Sequence, residues 1–284
     1  MRFMRVGPPG QERPVMLTAD NTAYDLRAVT ADINGQFLAD RGMTRAIAAL
    51  TRGKLERVDI RRLRIGPPIQ RPGVVLCIGM NYAGHAAETG APAPAEPVMF
   101  YKAPNAVIGP DDDILLPPGS TSCDWEVELA VIIGTRARYL TAADDPLSYV
   151  AGYTISNDIS ERTLQLQRSG GQWSKGKSCE TFNPLGPWMA TPDEIVDPQL
   201  LDLSSWVNGE ARQASNTKDM IFGVAELIRD LSQVTVLEPG DVINTGTPEG
   251  VALSGHFPYL AEGDLIEMSI DGLGRQRQRV LSGG

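Results

Sequence analysis

Histidine is scarce in this chain of 284 residues, with two copies, and cysteine is little commoner, with three. Cys77, Cys123 and Cys179 are odd in number and none lies at CxxC spacing. That excludes a zinc ribbon or a disulfide framework and fits a reduced, cytoplasmic protein. A basic excess is also missing. Lys and Arg total 26 against 35 Asp and Glu, a net charge of −9. Nucleic acid is therefore not expected as a partner, because duplex binding needs a basic face. Apolar runs such as Leu129–Ile133 fall far short of the roughly 20 residues that span a bilayer, so no membrane association is expected. The opening Met1–Gln11 has no apolar core of a signal peptide. No GxGxxG or Walker A string occurs, and Gly246-Thr247-Pro248 lacks the Lys-Ser/Thr that phosphate binding requires. There is no internal repeat and no low-complexity tract.

What the chain does have is ordinary hydrophobic content, 42%, and many breakers, with 29 Gly and 21 Pro. Enough chain is present for a sizeable core, and the breakers favour short strands over long helices. Residues 1–68 read as a small N-terminal domain. Strand-like pieces fall at Met1–Val6, Arg13–Leu17 and Thr22–Asp25, a helix at about Thr44–Arg52, and a break at Gly66-Pro67-Pro68. Residues 69–284 read as the main domain. Strand candidates there are Val74–Ile78, Val98–Tyr101, Ile114–Leu116, Glu126–Ile133, Tyr149–Ile155, Leu203–Val207, Val242–Thr245, Leu265–Ile270 and Gln276–Val280. The chief helix is Thr217–Leu231. Many short strands with few helices predict an α+β, mainly β body of sandwich or barrel type.

The sharpest local feature is Asp124-Trp125-Glu126-Val127-Glu128-Leu129. In a strand, Glu126 and Glu128 share one face while Val127, Leu129 and Val131 share the other. Two acids on a buried face repel and are costly to desolvate. A hard divalent cation resolves both costs, and carboxylate oxygen is the ligand Mg²⁺ and Mn²⁺ favour. Asp158 ends another apolar strand and is a third candidate ligand. Such pairs are more often solvated edge faces, so periodicity leaves both readings open.

His85 lies three residues before Glu88, and on a helix the two meet. A carboxylate beside an imidazole fixes its tautomer and raises its basicity, as a water-activating base needs. A casual surface pair has the same spacing. Gly79, Gly84 and Gly90 would let this segment act as a lid. Arg162 and Gln165 share a face if the chain after Asp158 is helical. Lys177 sits in a Gly-rich loop, and Gly246 and Thr247 follow a strand where backbone can approach a ligand. Each could equally be a surface or turn residue. His256, beside Pro258, has no acid at useful spacing.

Taken together, these residues resemble the fumarylacetoacetate hydrolase family. The motifs are Gly79-x-Asn81-Tyr82-x-x-His85-x-x-Glu88, Phe100-x-Lys102-x-Pro104, Asp124-x-Glu126-x-Glu128-Leu129, Asn157-Asp158-x-Ser160-x-Arg162, Lys177-Ser178-x-x-Thr181-Phe182-x-Pro184 and Thr245-Gly246-Thr247-Pro248-x-Gly250. They run in order from about Val75 to Val280. The resemblance implies a mixed β-sandwich roll with a small N-terminal domain, usually a homodimer. It implies a Mg²⁺ ion, or Mn²⁺, on Glu126, Glu128 and Asp158. It implies His85 and Glu88 as a catalytic dyad, and Lys177 as a catalytic and substrate-binding cation. Arg162, Gln165, Gly246 and Thr247 would contact a small anionic keto-acid substrate. The implied reaction is metal-dependent hydrolysis of a C–C bond in a 2,4-diketo acid, releasing pyruvate. The opening Met1–Pro14 and Gly171-Gln172-Trp173-x-x-Gly176-Lys177 resemble a ureidoglycolate lyase-like bacterial subgroup. Within it the substrate class would be a 2,4-diketo-3-deoxy sugar acid, such as the L-rhamnonate or L-fuconate derivative. Oxaloacetate decarboxylation, ureidoglycolate cleavage and a non-catalytic metal-stabilised binding protein are the alternatives.

Overall fold

A computed structural model of the chain describes residues 1–90 and 92–284. Its backbone is a large sheet that carries a smaller sheet against one face. From one edge, the large sheet runs Ala23–Asp25, Arg13–Leu17, Arg2–Val6, Asn183–Ala190, Val150–Asn157, Val127–Ile133, Val242–Asn244, Val75–Gly79 and Val98–Lys102. Most pairs are antiparallel, but Val242–Asn244 lies parallel to Val75–Gly79, so the sheet is mixed. The smaller sheet runs Glu210–Asn216, Asp202–Val207, Leu265–Ile270, Gly274–Ser282, Ile114–Leu116.

The strand Val127–Ile133 shows why the layers form. All seven residues are buried, as a central strand covered on both faces must be. Val127, Leu129, Val131 and Ile133 enter the cluster that includes Leu203, Ile266, Met268 and Ile270 of the smaller sheet. Ala130 and Ile132 point the other way, into a cluster with Phe3, Met16, Leu26, Ile33 and Phe37 from the N-terminal stretch. The period of two continues backwards, so Glu128 and Glu126 lie on that second face.

The first 68 residues join the large sheet directly, with Arg2 opposite Ala190 and Phe3 opposite Met189. The helix expected near Thr44 is Gly42–Thr51. The helix expected at Thr217–Leu231 divides instead into a short turn, Thr217–Asp219, and Val224–Val234. Gly223 separates them, and Phe222 is tied to Asn81 by an amide hydrogen bond of 2.8 Å. Besides two-residue ladders, two longer strands have no counterpart among the expected ones. Asn183–Ala190 contains Pro184, Gly186 and Pro187, and it tolerates them where its register against Val150–Asn157 is irregular. Glu210–Asn216 is a polar edge strand with no apolar alternation. Among the described residues no helix is long and apolar enough to cross a membrane.

Candidate metal centre and active site

Two strand pairings assemble the acids. Val127 opposes Asn157 and Glu128 opposes Ser156, so Glu126 and Asp158 leave the ends of neighbouring strands side by side. The Asp158 amide donates to the Glu126 carbonyl at 3.0 Å. A two-residue ladder, Ser160 opposite Asp124 and Glu161 opposite Cys123, fixes the chain just beyond. Glu126, Glu128 and Asp158 each offer an oxygen within 4.8 Å of the others. All three are buried, with Asp158 at 0% exposure.

Cations surround them unevenly. The Lys177 ammonium bridges Glu126 Oε2 at 2.6 Å and Asp158 Oδ2 at 2.9 Å. Arg162 pairs with Asp124 at 2.8 Å and with Glu126 at 2.7 Å. Lys102, fully buried at the end of the edge strand, pairs with Asp158 Oδ1 and donates to the Ile159 carbonyl at 2.9 Å. Among the described residues, Glu128 receives only the Gly246 amide, at 2.8 Å. Four carboxyl groups, Asp124, Glu126, Glu128 and Asp158, thus share three cations, Lys102, Arg162 and Lys177.

The titration of the acids follows from that shortage. Burial pushes Glu128 well above the usual carboxylate range, and the charges of Asp158 and Glu126 push it further. Burial opposes ionisation of Glu126 too, but Lys177 and Arg162 override it and hold that acid at about 2. Burial works against the Lys177 ammonium, yet Asp158 and Glu126 raise its pKa. A buried, all-oxygen donor set with one carboxylate in excess of its cations fits a hard divalent ion.

A cavity of about 370 Å³ opens over this cluster, and Glu126, Glu128, Arg162, Lys177, His85 and Glu88 lie on its wall. His85 and Glu88 sit on the helix Ala83–Glu88. His85 Nδ1 lies 2.8 Å from Glu88 Oε1, and Glu88 Oε2 accepts the Gly250 amide at 3.0 Å. With Nδ1 so engaged, the proton is assigned there and Nε2 remains the free nitrogen. Two of the three glycines around this helix serve close packing. A Cβ on Gly79 would stand 2.3 Å from the Trp173 ring, and one on Gly84 would stand 2.2 Å from Glu249 Oε2.

The expected substrate residues divide. Gln165 and Thr247 reach the cavity wall. Gln165 Oε1 accepts from Arg162 Nη1 at 2.9 Å, on a π-helical turn, Thr163–Gln167, rather than an α-helix. Thr247 is also a strut, donating to the Val127 carbonyl at 2.9 Å and accepting from Gln213 at 2.7 Å. Gly246 is not on the wall, and its amide is committed to Glu128. Its φ of +97° and the 2.8 Å that would separate a Cβ from Asn81 Cβ both require glycine. His256 is exposed and away from the cavity.

Three further residues of the site carry no local sequence signal for their roles. Lys102 ends an apolar run and Asp124 opens the acidic one, yet only the family motifs singled them out. Asp124 accepts the amides of Ala252 and Leu253, both at 2.9 Å, while pairing with Arg162. Gln213 braces Thr247 from a polar strand that carries no signal of its own.

A mixed β-sandwich with three convergent buried carboxylates, two of them on a cavity wall, has the architecture of an enzyme whose site could hold a metal ion. The chain belongs to the fumarylacetoacetate hydrolase family, since residues 74–281 match the model of the fumarylacetoacetate hydrolase C-terminal domain. A Burkholderia multivorans protein, named only as a hydrolase, is 48% identical over 281 residues, 98% of each chain. The structure of maleylpyruvate hydrolase from Sphingobium sp. SYK-6, in complex with manganese(II) and pyruvate, superposes with a TM-score of 0.80 at 31% identity over 100% of both chains. That of 5-carboxymethyl-2-hydroxymuconate delta-isomerase from Mycobacterium smegmatis does so with 0.78 at 32%, again over 100% of both. The family's enzymes are thus hydrolases and isomerases, many of them metal-dependent.

Proposed function

We propose that this protein is a divalent-metal-dependent hydrolase that cleaves a 2,4-diketo acid of the acylpyruvate type into pyruvate and a second carboxylic acid. One observation carries the reading: Glu126, Glu128 and Asp158 converge, and the first two lie on the wall of a cavity that also holds an oriented His85–Glu88 pair. The maleylpyruvate hydrolase structure, with its manganese and pyruvate, supports the substrate class by similarity.

The three acids would hold Mg²⁺ or Mn²⁺, which when bound supplies electrophilic polarisation of the substrate's oxygens. Arg162 and Lys177 face the anionic end of the substrate. Glu88 holds the His85 ring with Nε2 towards the cavity, where it takes a proton from water. The oxygen of that water adds to the distal carbonyl, the C–C bond breaks, and the electron pair leaves on the pyruvyl fragment. Lys177, kept cationic by its carboxylate neighbours, steadies that charge until the carbon is protonated. One water is consumed and two acids are released.

The test is pyruvate release from a panel of 2,4-diketo acids, including a 3-deoxy sugar acid, with oxaloacetate and ureidoglycolate alongside, with and without Mg²⁺ or Mn²⁺. Metal-dependent pyruvate release from diketo acids is expected. H85A should lose hydrolysis but keep ion binding and any oxaloacetate decarboxylation, because the acids stay in place and only hydrolysis needs an activated water. Full hydrolytic activity in that variant overturns the mechanism.

A further inference from the structure

The cavity is chemically two-ended. Its floor is ionic, but much of its wall is apolar, formed by Met80, Phe100, Leu166, Trp173 and Leu253. Among the described residues, Arg162 and Lys177 are the only Lys or Arg side chains on the wall, and both are already paired with acids of the floor. No cation is left over for a second carboxylate at the far end of a substrate.

Partners for a hydroxylated tail are equally short. Away from the acids, their cations and His85, the wall side chains that carry a hydroxyl or amide are Thr89, Gln165 and Thr247. Thr89 donates its hydroxyl within its own helix, to His85 and Ala86 carbonyls at 3.1 and 3.0 Å. Gln165 commits its Oε1 to Arg162 and keeps only its amide N–H groups for a ligand, and Thr247 is bonded on both sides. A polyol placed here would give up water for few replacements.

The apolar wall is built rather than incidental. Met80 holds φ = +55°, a conformation that costs a non-glycine residue about 1 kcal/mol or more. It is fixed there by Asn81, whose amide group bonds Phe222 and the Thr245 carbonyl. Trp173 packs edge-on to Phe100 at 5.6 Å and is pressed against Gly79. Leu166 stands 45% exposed at the cavity, an apolar side chain that a bound tail would cover.

We infer that this wall is the acyl-tail subsite, and that it takes a neutral, apolar alkyl or aryl acyl group in preference to a tail ending in a second carboxylate or bearing several hydroxyls. The inference rests on the acylpyruvate reading above and narrows it.

Two measurements test it. Across acetyl-, butanoyl-, hexanoyl- and benzoylpyruvate, kcat/KM should climb with tail length, by up to roughly fourfold for each methylene fully buried. It should fall for maleylpyruvate and for a 2,4-diketo-3-deoxy sugar acid. Separately, binding of 2-keto monoacids from pyruvate to 2-oxohexanoate and 4-phenyl-2-oxobutanoate, measured by calorimetry with Mn²⁺, should tighten along the series without any turnover. Leu166→Lys should shift the ratio of kcat/KM for maleylpyruvate over butanoylpyruvate upward, by roughly two- to fivefold for one exposed ion pair. Binding indifferent to tail length, or a preference for the diacid or the polyol, overturns the subsite. Tail-dependent binding with no diketo acid cleaved supports the subsite and instead refutes the hydrolase reading.

Discussion

Glu128 is the carboxylate for which the cluster holds no cation, and its chemistry separates function from stability. Its folded pKa lies well above the usual value, so the stability it contributes is complete below about pH 4.5 and is lost as pH rises through the folded value. Glu128→Gln keeps the shape and can still accept from the Gly246 amide, but it carries no charge at any pH. In EDTA, thermal melts should show the variant equal to the parent near pH 5 and increasingly more stable towards pH 9, and Mn²⁺ should stabilise the parent alone. A parent that is the more stable of the two at pH 9 contradicts the charge assignment. Lys102 behaves oppositely. Lys102→Met leaves the buried Asp158 with less compensation, and breaking such a pair costs about 3–5 kcal/mol. Urea unfolding of the metal-free protein should show that loss, with Mn²⁺ restoring part of it. An unchanged midpoint would mean that Asp158 does not depend on Lys102.

At the scale of elements, the site depends on how closely the short helix Ser174–Lys177, which carries Lys177 where a loop was expected, approaches the π-helical turn Thr163–Gln167. Gly176 makes that approach possible: a Cβ there would stand 2.4 Å from both the Gln165 amide nitrogen and the Glu161 carbonyl. These are backbone atoms, so the clash cannot be relieved by a rotamer. Gly176→Ala should push the Lys177 turn away from Glu126 and Asp158, costing about 1–3 kcal/mol as overpacking does. Hydrolysis should fall more than ion binding, because the acids stay in place while the ammonium moves. Equal activity and stability in parent and variant would show that the turn is free to shift. The central strands were legible in the sequence because short apolar runs bounded by turn residues mark buried strands. Asn183–Ala190 was not, because its prolines and glycine read as breakers and only its neighbours' register makes room for them. The π-helical form of Thr163–Gln167 was equally hidden, since spacing alone cannot tell it from an α-helix.

Across the whole molecule, the Gly66-Pro67-Pro68 break marks a change in composition, yet the hydrogen-bonded sheet crosses from residues 1–68 into the body through Arg2–Val6 and Asn183–Ala190. Phe3, Met16 and Phe37 share a cluster with Val75, Cys77, Ala130 and Ile132. Arg64 ties Glu12, at 2.8 Å, to Asp112 of the body. A shared core predicts cooperative unfolding. Circular dichroism and calorimetry of the full chain should show one transition, and two well-separated ones would mean that the stretches fold independently.

The sequence alone indicated the strand-rich body, the face that Glu126 and Glu128 share, and the spacing that lets His85 meet Glu88 on a helix. These follow from periods of two and three-to-four residues that local chain geometry fixes. The family motifs added the joining of Glu126 and Glu128 with Asp158, which no local period could reach. The tertiary structure alone decided which acid lacks a cation, which glycines are demanded by contact, and that the Gly246 amide serves Glu128 rather than the cavity. Those outcomes depend on distances between segments far apart in the chain. Burial and Coulomb energy are set by such distances and leave no trace in spacing.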